Sequence, residues 1–149
     1  MSDLKDFARI VGLDHGLCVV STLRSDGTIQ SSVVNAGVLP HPVTGEQVVG
    51  LVAVGGTRKL DNLRARPRAS AVIRAGWEWA AAEGPVELAG PDDPLPGVDG
   101  ERLRLLLREI FSAAGGSHDD WPTYDRVMAE ERRTAVLLRP ARVSANPRS

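Results

Sequence analysis

The sequence predicts a mainly β chain, a six-stranded antiparallel barrel with peripheral α-helices. Three observations predict it. Short runs rich in apolar and β-branched residues recur at 17–23, 28–39, 47–54, 69–74, 80–88 and 134–145. Hairpin-type turns join most of them. The order of elements, αβββαββααβ, favours antiparallel closure over a parallel sheet, which needs a crossover after each strand.

The bulk numbers bound the rest. A chain of 149 residues suffices for one domain with one core, here 1–149. A net charge of −1 leaves no global field for nucleic acid or an acidic membrane surface. Cys18 is the one cysteine and lies in an apolar run, which makes it a small buried hydrophobe with no disulfide partner and no metal-ligand spacing around it. No stretch approaches about 20 apolar residues, and no signal-type apolar segment opens the chain. The expectation is a cytoplasmic protein that contacts no membrane.

In order, residues 3–11 place Leu4, Phe7, Ala8 and Val11 at helical spacing, with Ser2 or Asp3 as cap. The run 17–23 is a strand, and Arg24-Ser25-Asp26-Gly27 carries a strong Asp-Gly hairpin signal. The return strand, 28–39, puts Gln30, Ser32 and Val34 on one face and Ile29, Ser31, Val33 and Asn35 on the other. Polar residues on both faces fit either a rim strand with solvated serines or a surface for a flat polar ligand. His41, between two prolines, reads as an exposed loop residue. The apolar run 47–54 is a central strand.

That strand runs into Gly55-Gly56 and a short basic helix ended by Pro67. Thr57 is a natural N-cap, its hydroxyl accepting a free backbone N–H. Arg58 and Lys59 fall in the first turn, where the helix already presents partial positive charge. Two cations there make sense if an anion, most simply a phosphate, lies among them; the plainer reading is a solvated surface helix. Lys59, Asn62 and Arg66 share one face, and Leu60 and Leu63 anchor another.

Strands 69–74 and 80–88 form a second hairpin, with Ala75-Gly76-Trp77-Glu78-Trp79 between them. Trp77 and Trp79, two of three tryptophans, are expected on one side of a strand, as core, as an oligomer contact or as a wall for an aromatic ligand. The clearest helix is 101–111, with the stripe Leu103, Leu106, Leu107, Ile110 and Phe111. Asp119 and Asp120 open the next helix, whose apolar side is Trp121, Tyr124, Val127 and Met128. His118 reads as a loop or cap residue before a catalyst. The last strand, 134–145, is interrupted at Arg139-Pro140.

GxSxG, HExxH, Walker A and GxGxxG are all absent, so no catalytic residue is identified and any chemistry belongs to a bound cofactor. An anion site, a semi-polar strand and nearby tryptophans suit a phosphorylated planar ring. Four stretches then carry a resemblance over nearly the whole chain: STLRSDGTIQSS (21–32), TRKLDNLRARPRASAVI (57–73), WEWAAAEGPVEL (77–88) and GGSHDDWPTYDRVMAEERR (115–133). The chain resembles the flavin/deazaflavin oxidoreductases of the split β-barrel superfamily named after pyridoxamine 5′-phosphate oxidase. The last two stretches look most like its actinobacterial F420-binding branch. The resemblance implies an FMN-binding split-barrel type of fold and a homodimer with the cofactor in a groove between subunits. It implies F420 as cofactor, with FMN the alternative, and hydride transfer to an unsaturated or quinone-like small molecule. A non-catalytic cofactor-binding protein remains a further alternative. By the same resemblance Arg58 and Lys59, with Asn62 beside them, form the phosphate-binding segment, and Thr57 is counted with them in the cofactor-binding set; Ser31, Ser32, Val33, Val34 and Asn35 line the ring, and Gly76, Trp77 and Trp79 form the tryptophan-bearing strand. The helix with Trp121 and Tyr124 is implied to come from the partner. Thr57 stands where some relatives carry a further basic residue, which bears on how a long anionic tail is held.

Overall fold

A computed structural model of the chain describes residues 3–146. Its elements are α1 (Lys5–Val11), β1 (Leu17–Leu23), β2 (Ile29–Pro40), β3 (Gln47–Ala53), α2 (Arg58–Ala65), β4 (Arg68–Ala75), β5 (Glu78–Ala89), α3 (Gly100–Ala113), α4 (Trp121–Glu130), β6 (Thr134–Leu138) and β7 (Arg142–Ala145). All pairings are antiparallel. The order β4-β1-β2-β3-β6-β5 closes on itself because β5 also pairs β4. β6 and β7 lie on the same edge of β5, against Val86–Ala89 and Ala80–Glu83 respectively. Between them, Arg139 N donates to Pro85 O and Ala141 N to Glu83 O. They are therefore two halves of one strand, bent where Pro140 has no N–H to give. The closed barrel has six strands, as expected. At the bend the backbones nearly touch: a Cβ on Gly84 would come within 2.0 Å of Arg139 O.

The barrel is filled by two helices as well as by its own strands. Phe7, Ile10 and Val11 of α1 and Leu60 and Leu63 of α2 join Cys18, Val20, Leu51, Ile73, Val136 and Leu138 in one core. Ala69, Ala71, Ala80 and Ala82 on β4 and β5 leave room for them. Burial pushes the Cys18 thiol up to about 12, consistent with an inert core residue. A second core lies outside the barrel, where Leu106, Leu107 and Ile110 of α3 pack on Leu39, Val48, Ala135 and Leu137. β3 and β6 thus bury both faces, which accounts for their unbroken apolar runs. No helix among the described residues is long and apolar enough to cross a membrane.

Three local expectations are corrected. In α1 the buried stripe is Leu4, Phe7, Ile10 and Val11, and Ala8 faces solvent, because Ile10 offers the larger apolar surface. Leu4 takes the N-cap position while the Asp3 carboxylate accepts from Lys5 N at 2.6 Å; Ser2 lies outside the described residues. His41 is buried, not exposed. Its Nδ1 accepts from Val43 N (3.1 Å) and Thr44 N (3.2 Å), so Nε2 carries the proton and donates to Glu87 at 3.0 Å. These bonds satisfy the ring inside its turn.

Candidate functional site

The barrel is split along one seam. β2 pairs β1 through Ile29–Asn35 and pairs β3 only from Ala36 onward. From Asn35 back to Ile29, that edge of β2 has no strand partner among the described residues. The last rung is Ala36–Leu51, and the residues just beyond it, Asn35 and Val52, border a cavity of about 390 Å³. Phe111 and the Gly115-Gly116 turn after α3, Tyr124 and Met128 of α4, His15 and Arg133 complete its walls. The lining is apolar with a few polar groups, the usual composition of a small-molecule site. Asn35 Nδ2 donates to His15 O at 2.7 Å, which ties the two sides of the mouth together.

Arg133, one wall of the cavity, belongs to the segment that meets the chain just before α2. Arg133 follows Glu131, whose carbonyl accepts from Gly55 N at 3.0 Å. A Cβ on Gly55 would sit 2.7 Å from the Arg132 Cβ, so only glycine lets β3 turn here toward α2. Thr57 occupies the N-cap position with extended backbone, but its hydroxyl caps nothing, contrary to expectation. Oγ1 is buried and has no hydrogen-bond partner. Lys59 is half-buried and lacks a carboxylate partner among the described residues; desolvation holds its ammonium below the ordinary lysine range. Arg58 is exposed and likewise unpaired among the described residues. The nearby carboxylate, Asp61, pairs with Arg64 instead.

The rest of the expected basic face is committed to structure. Asn62 is buried and donates from Nδ2 to Thr22 Oγ1 and Gln30 Oε1, both at 3.1 Å. Arg66 lies past the end of α2, and its Nε donates to Leu23 O at 2.9 Å. Burying Leu60 and Leu63 turns this side of the helix onto the β1–β2 hairpin, so of the expected set only Thr57, Arg58 and Lys59 have side chains with no hydrogen-bond or ion-pair partner among the described residues.

Strand β2 divides its five candidates by alternation. Ser31, Val33 and Asn35 point outward, Val33 being 67% exposed, while Ser32 and Val34 are half-buried on the other face. Ser31 Oγ lies 2.8 Å from Ser21 Oγ. The tryptophans separate. Gly76 (φ +60°) and Trp77 form the two-residue turn between β4 and β5, leaving Trp77 94% exposed, whereas Trp79 lies on the outer face of β5 at 37%. They do not share a strand face, because Trp77 is not in the strand. Asn35 pairs Leu17 on β1, β1 pairs β4, and Arg74 of β4 pairs Trp79, so within one chain Trp79 stands three strands, about 14 Å, from the cavity mouth.

Trp121 and Tyr124, implied to act from a partner, pack within their own chain. Phe111 meets Trp121 edge-on at 6.2 Å and Tyr124 at 5.2 Å between ring centroids. Tyr124 Oη donates to Leu107 O at 3.0 Å, and Arg108 lies 5.1 Å over the Trp121 ring. His118 Nδ1 accepts from Asp120 N, a capping role. Among the described residues no cluster of three His, Cys, Asp or Glu could hold a metal. His15, Phe111, Met128 and Arg133 were not singled out as site residues by the sequence. They come from separate elements; the only local signal was the pair Arg132-Arg133 directly after a helix.

No protein-family model and no curated protein matches the sequence. Solved structures do. A pyridoxamine 5′-phosphate oxidase-related, FMN-binding protein of Nostoc punctiforme is 14% identical over 97% of this chain and 84% of its own, with a TM-score of 0.66. An F420 reductase is 15% identical over 90% of this chain and 93% of its own, at 0.59. The protein Atu2129 of Agrobacterium tumefaciens, of unknown function, is 16% identical over 98% of this chain but only 60% of its own length, also at 0.59. At these identities the likeness establishes architecture, and the chain has the split β-barrel fold of the pyridoxamine 5′-phosphate oxidase-related proteins.

Proposed function

We propose that this chain is an F420H2-dependent reductase that works as a homodimer on a small unsaturated or quinone-like substrate. The observation that carries the reading is the start of α2. A half-buried ammonium with no carboxylate, next to a buried hydroxyl with no partner, is a costly arrangement in the empty protein. A phosphate placed there would relieve both costs, with the N-terminal dipole adding to the attraction. The donor set therefore fits a phosphorylated cofactor. Lys59 and Thr57 would hold the phosphate, with Arg58 reaching a longer anionic tail from the surface. The open edge of β2 and the outward Ser31, Val33 and Asn35 would line the ring. When bound, F420H2 supplies the hydride. The cavity beside Asn35 would receive the substrate and stay open to solvent, which would supply the proton.

Both F420 and FMN are chemically compatible with this cradle. The choice of F420 rests on the likeness of stretches 77–88 and 115–133 to the deazaflavin branch, together with a structural neighbour that is an F420 reductase. Titrating the same preparation with F420 and with FMN tests it. Tighter binding of F420, followed by oxidation of F420H2 when enones or quinones are added, is the expected result. A two-band flavin spectrum on the purified protein, or preference for FMN, would overturn the cofactor assignment. Tight F420 binding without turnover across that panel would favour a cofactor-binding protein instead.

A further inference from the structure

The cavity beside Asn35 carries charge of one sign only. Arg133 is one of its walls, and none of the residues lining it is acidic. The register explains the placement. Ala135 of β6 pairs Val52 of β3, and Asn35 of β2 is the residue just past the last β2–β3 rung, on the Val52 side. Alternation carried one residue before β6 puts Arg133 on the same face as Ala135 and Val52. Its guanidinium is only partly used. Nε donates to Oε1 of Glu131 at 2.8 Å, and Nη2 lies 2.8 Å from the same oxygen. The two N–H groups of Nη1 have no partner among the described residues. Glu131 is exposed and lies outside the cavity wall. An exposed pair of this kind is weak, so Glu131 orients the guanidinium without closing it to a ligand. The charge reaches the aromatic wall: burial pushes the Tyr124 hydroxyl up, and Arg133 opposes that. Across the mouth stands His15, a non-glycine residue held at φ +58°. Its carbonyl accepts from Asn35, and the next residue is locked by Gly16 N to Val11 O (3.0 Å) and Ala36 N to Gly16 O (2.9 Å). The His15 ring has no hydrogen-bond partner among the described residues. Left-handed backbone at such a residue is costly and is found where a side chain has a task.

We propose that this cavity selects a small molecule bearing a carboxylate, which Arg133 binds through its free N–H groups while Phe111 and Met128 take the apolar body. The inference rests on the reading of the cavity as the substrate site, and it narrows the substrate to an enone or quinone that is also an acid. A guanidinium with unpaired donors at the wall of a largely apolar cavity matches a carboxylate in charge and in shape. A neutral ligand of the same size would leave those donors unpaired, and a cation would meet Arg133 with no carboxylate in the wall to offset it. His15 and Asn35 supply the remaining hydrogen-bonding groups, for a carbonyl or hydroxyl on the same molecule. The acid group is a handle and is not changed. The hydride and the proton of the proposed reaction add across the carbon–carbon double bond or to the quinone.

Titrating the cofactor-free protein with trans-cinnamate and with cinnamamide, which has the same body and no charge, tests the site without any turnover. Cinnamate should bind about tenfold more tightly, the effect of one charge-assisted contact. By NMR it should shift the amide signals of Asn35, Gly115 and Gly116. Arg133→Gln should bring cinnamate down to the affinity of cinnamamide and leave cinnamamide unchanged, and Arg133→Lys should keep part of the preference. Equal binding of the two probes by the wild type would overturn the proposal. So would shifts confined to Gly55–Lys59, which would put the anion at α2, or a preference that survives Arg133→Gln. With F420H2 bound, enones that carry a carboxylate should show a lower KM than their methyl esters. Equal KM values, or a protein that binds cinnamate through Arg133 but takes neither F420 nor FMN, would overturn the substrate role while the carboxylate site stands.

Discussion

The two walls of the barrel are built to opposite ends. On the β3–β6 wall both faces are apolar, and α3 covers the outer one with Leu106, Leu107 and Ile110. On the β1-β2-β4-β5 wall the inner face is mostly apolar, interrupted by Thr22, Gln30 and Ser32, while the outer one mixes valine, leucine and tryptophan with Ser21, Ser31, Ser70, Arg68, Arg74 and Glu83. A wall meant only for solvent would carry fewer large hydrophobic groups, and one meant for a permanent core would carry no arginine. The proposed homodimer would bury such a mixture on association. The split between β2 and β3 lies where the two walls meet, which is why the cavity opens there.

The largest expected effect contrasts the walls directly. Ile110→Ala should cost about 2–5 kcal/mol in denaturant unfolding, because it opens a cavity under a fully packed helix. Val19→Asp, on the bare wall, should leave the subunit folded yet convert dimer to monomer by sedimentation. An Ile110 variant of wild-type stability would mean that α3 is a loose cover rather than part of the core.

Next in size is Lys59→Ala, which should weaken F420 binding by about 1–3 kcal/mol, the loss of a charge-assisted contact. Unchanged affinity would remove the phosphate from α2. The pH dependence of stability sharpens this. Burial lowers the pKa of Lys59, so the unfolded chain binds the extra proton between the folded and the unfolded values. The destabilisation is full below the folded value and fades as pH rises to the ordinary lysine value. Lys59→Met should therefore stabilise the cofactor-free protein at neutral pH, with the advantage over wild type shrinking in alkali.

A smaller effect lies at the α3–α4 junction, where Asp125 pairs with both Arg104 and Arg108 and its carboxyl is held below the ordinary range, chiefly by the hydrogen bond from Arg108. Its contribution is present above the unfolded carboxylate value and lost as pH falls through the lower folded one. Asp125→Asn should remove that part of the acid limb of a stability–pH curve and leave the alkaline limb unchanged. Smallest of all, Thr57→Val should unfold at the same or slightly higher denaturant concentration, since the hydroxyl it removes is buried and unpartnered. If it also binds F420 as well as wild type does, Thr57 is not a phosphate ligand.

Much of this was legible along the chain. The six strands, the Asp-Gly hairpin, the stripes of α3 and α4 and the core role of Cys18 follow from local chemistry, and each appears where expected. The errors share one cause. Thr57 looked like a cap, Asn62 like a phosphate ligand and His41 like an exposed residue because sequence reports what a side chain can do, not which neighbour reaches it first. Asn62 meets Thr22 and Gln30, forty and thirty-two positions away. His41 meets Glu87, forty-six away.

What the sequence determined by itself is therefore the alternation and the turns. Period-two patterning and glycine or proline punctuation act within a few residues and need no tertiary context. Where β2 parts from β3, which cations stay unpaired and what walls the cavity were decided only by closure of the barrel. Closure brings Asn35, Phe111 and Arg133 from distant parts of the chain to one place, and no local pattern encodes a distance between strands that have not yet paired.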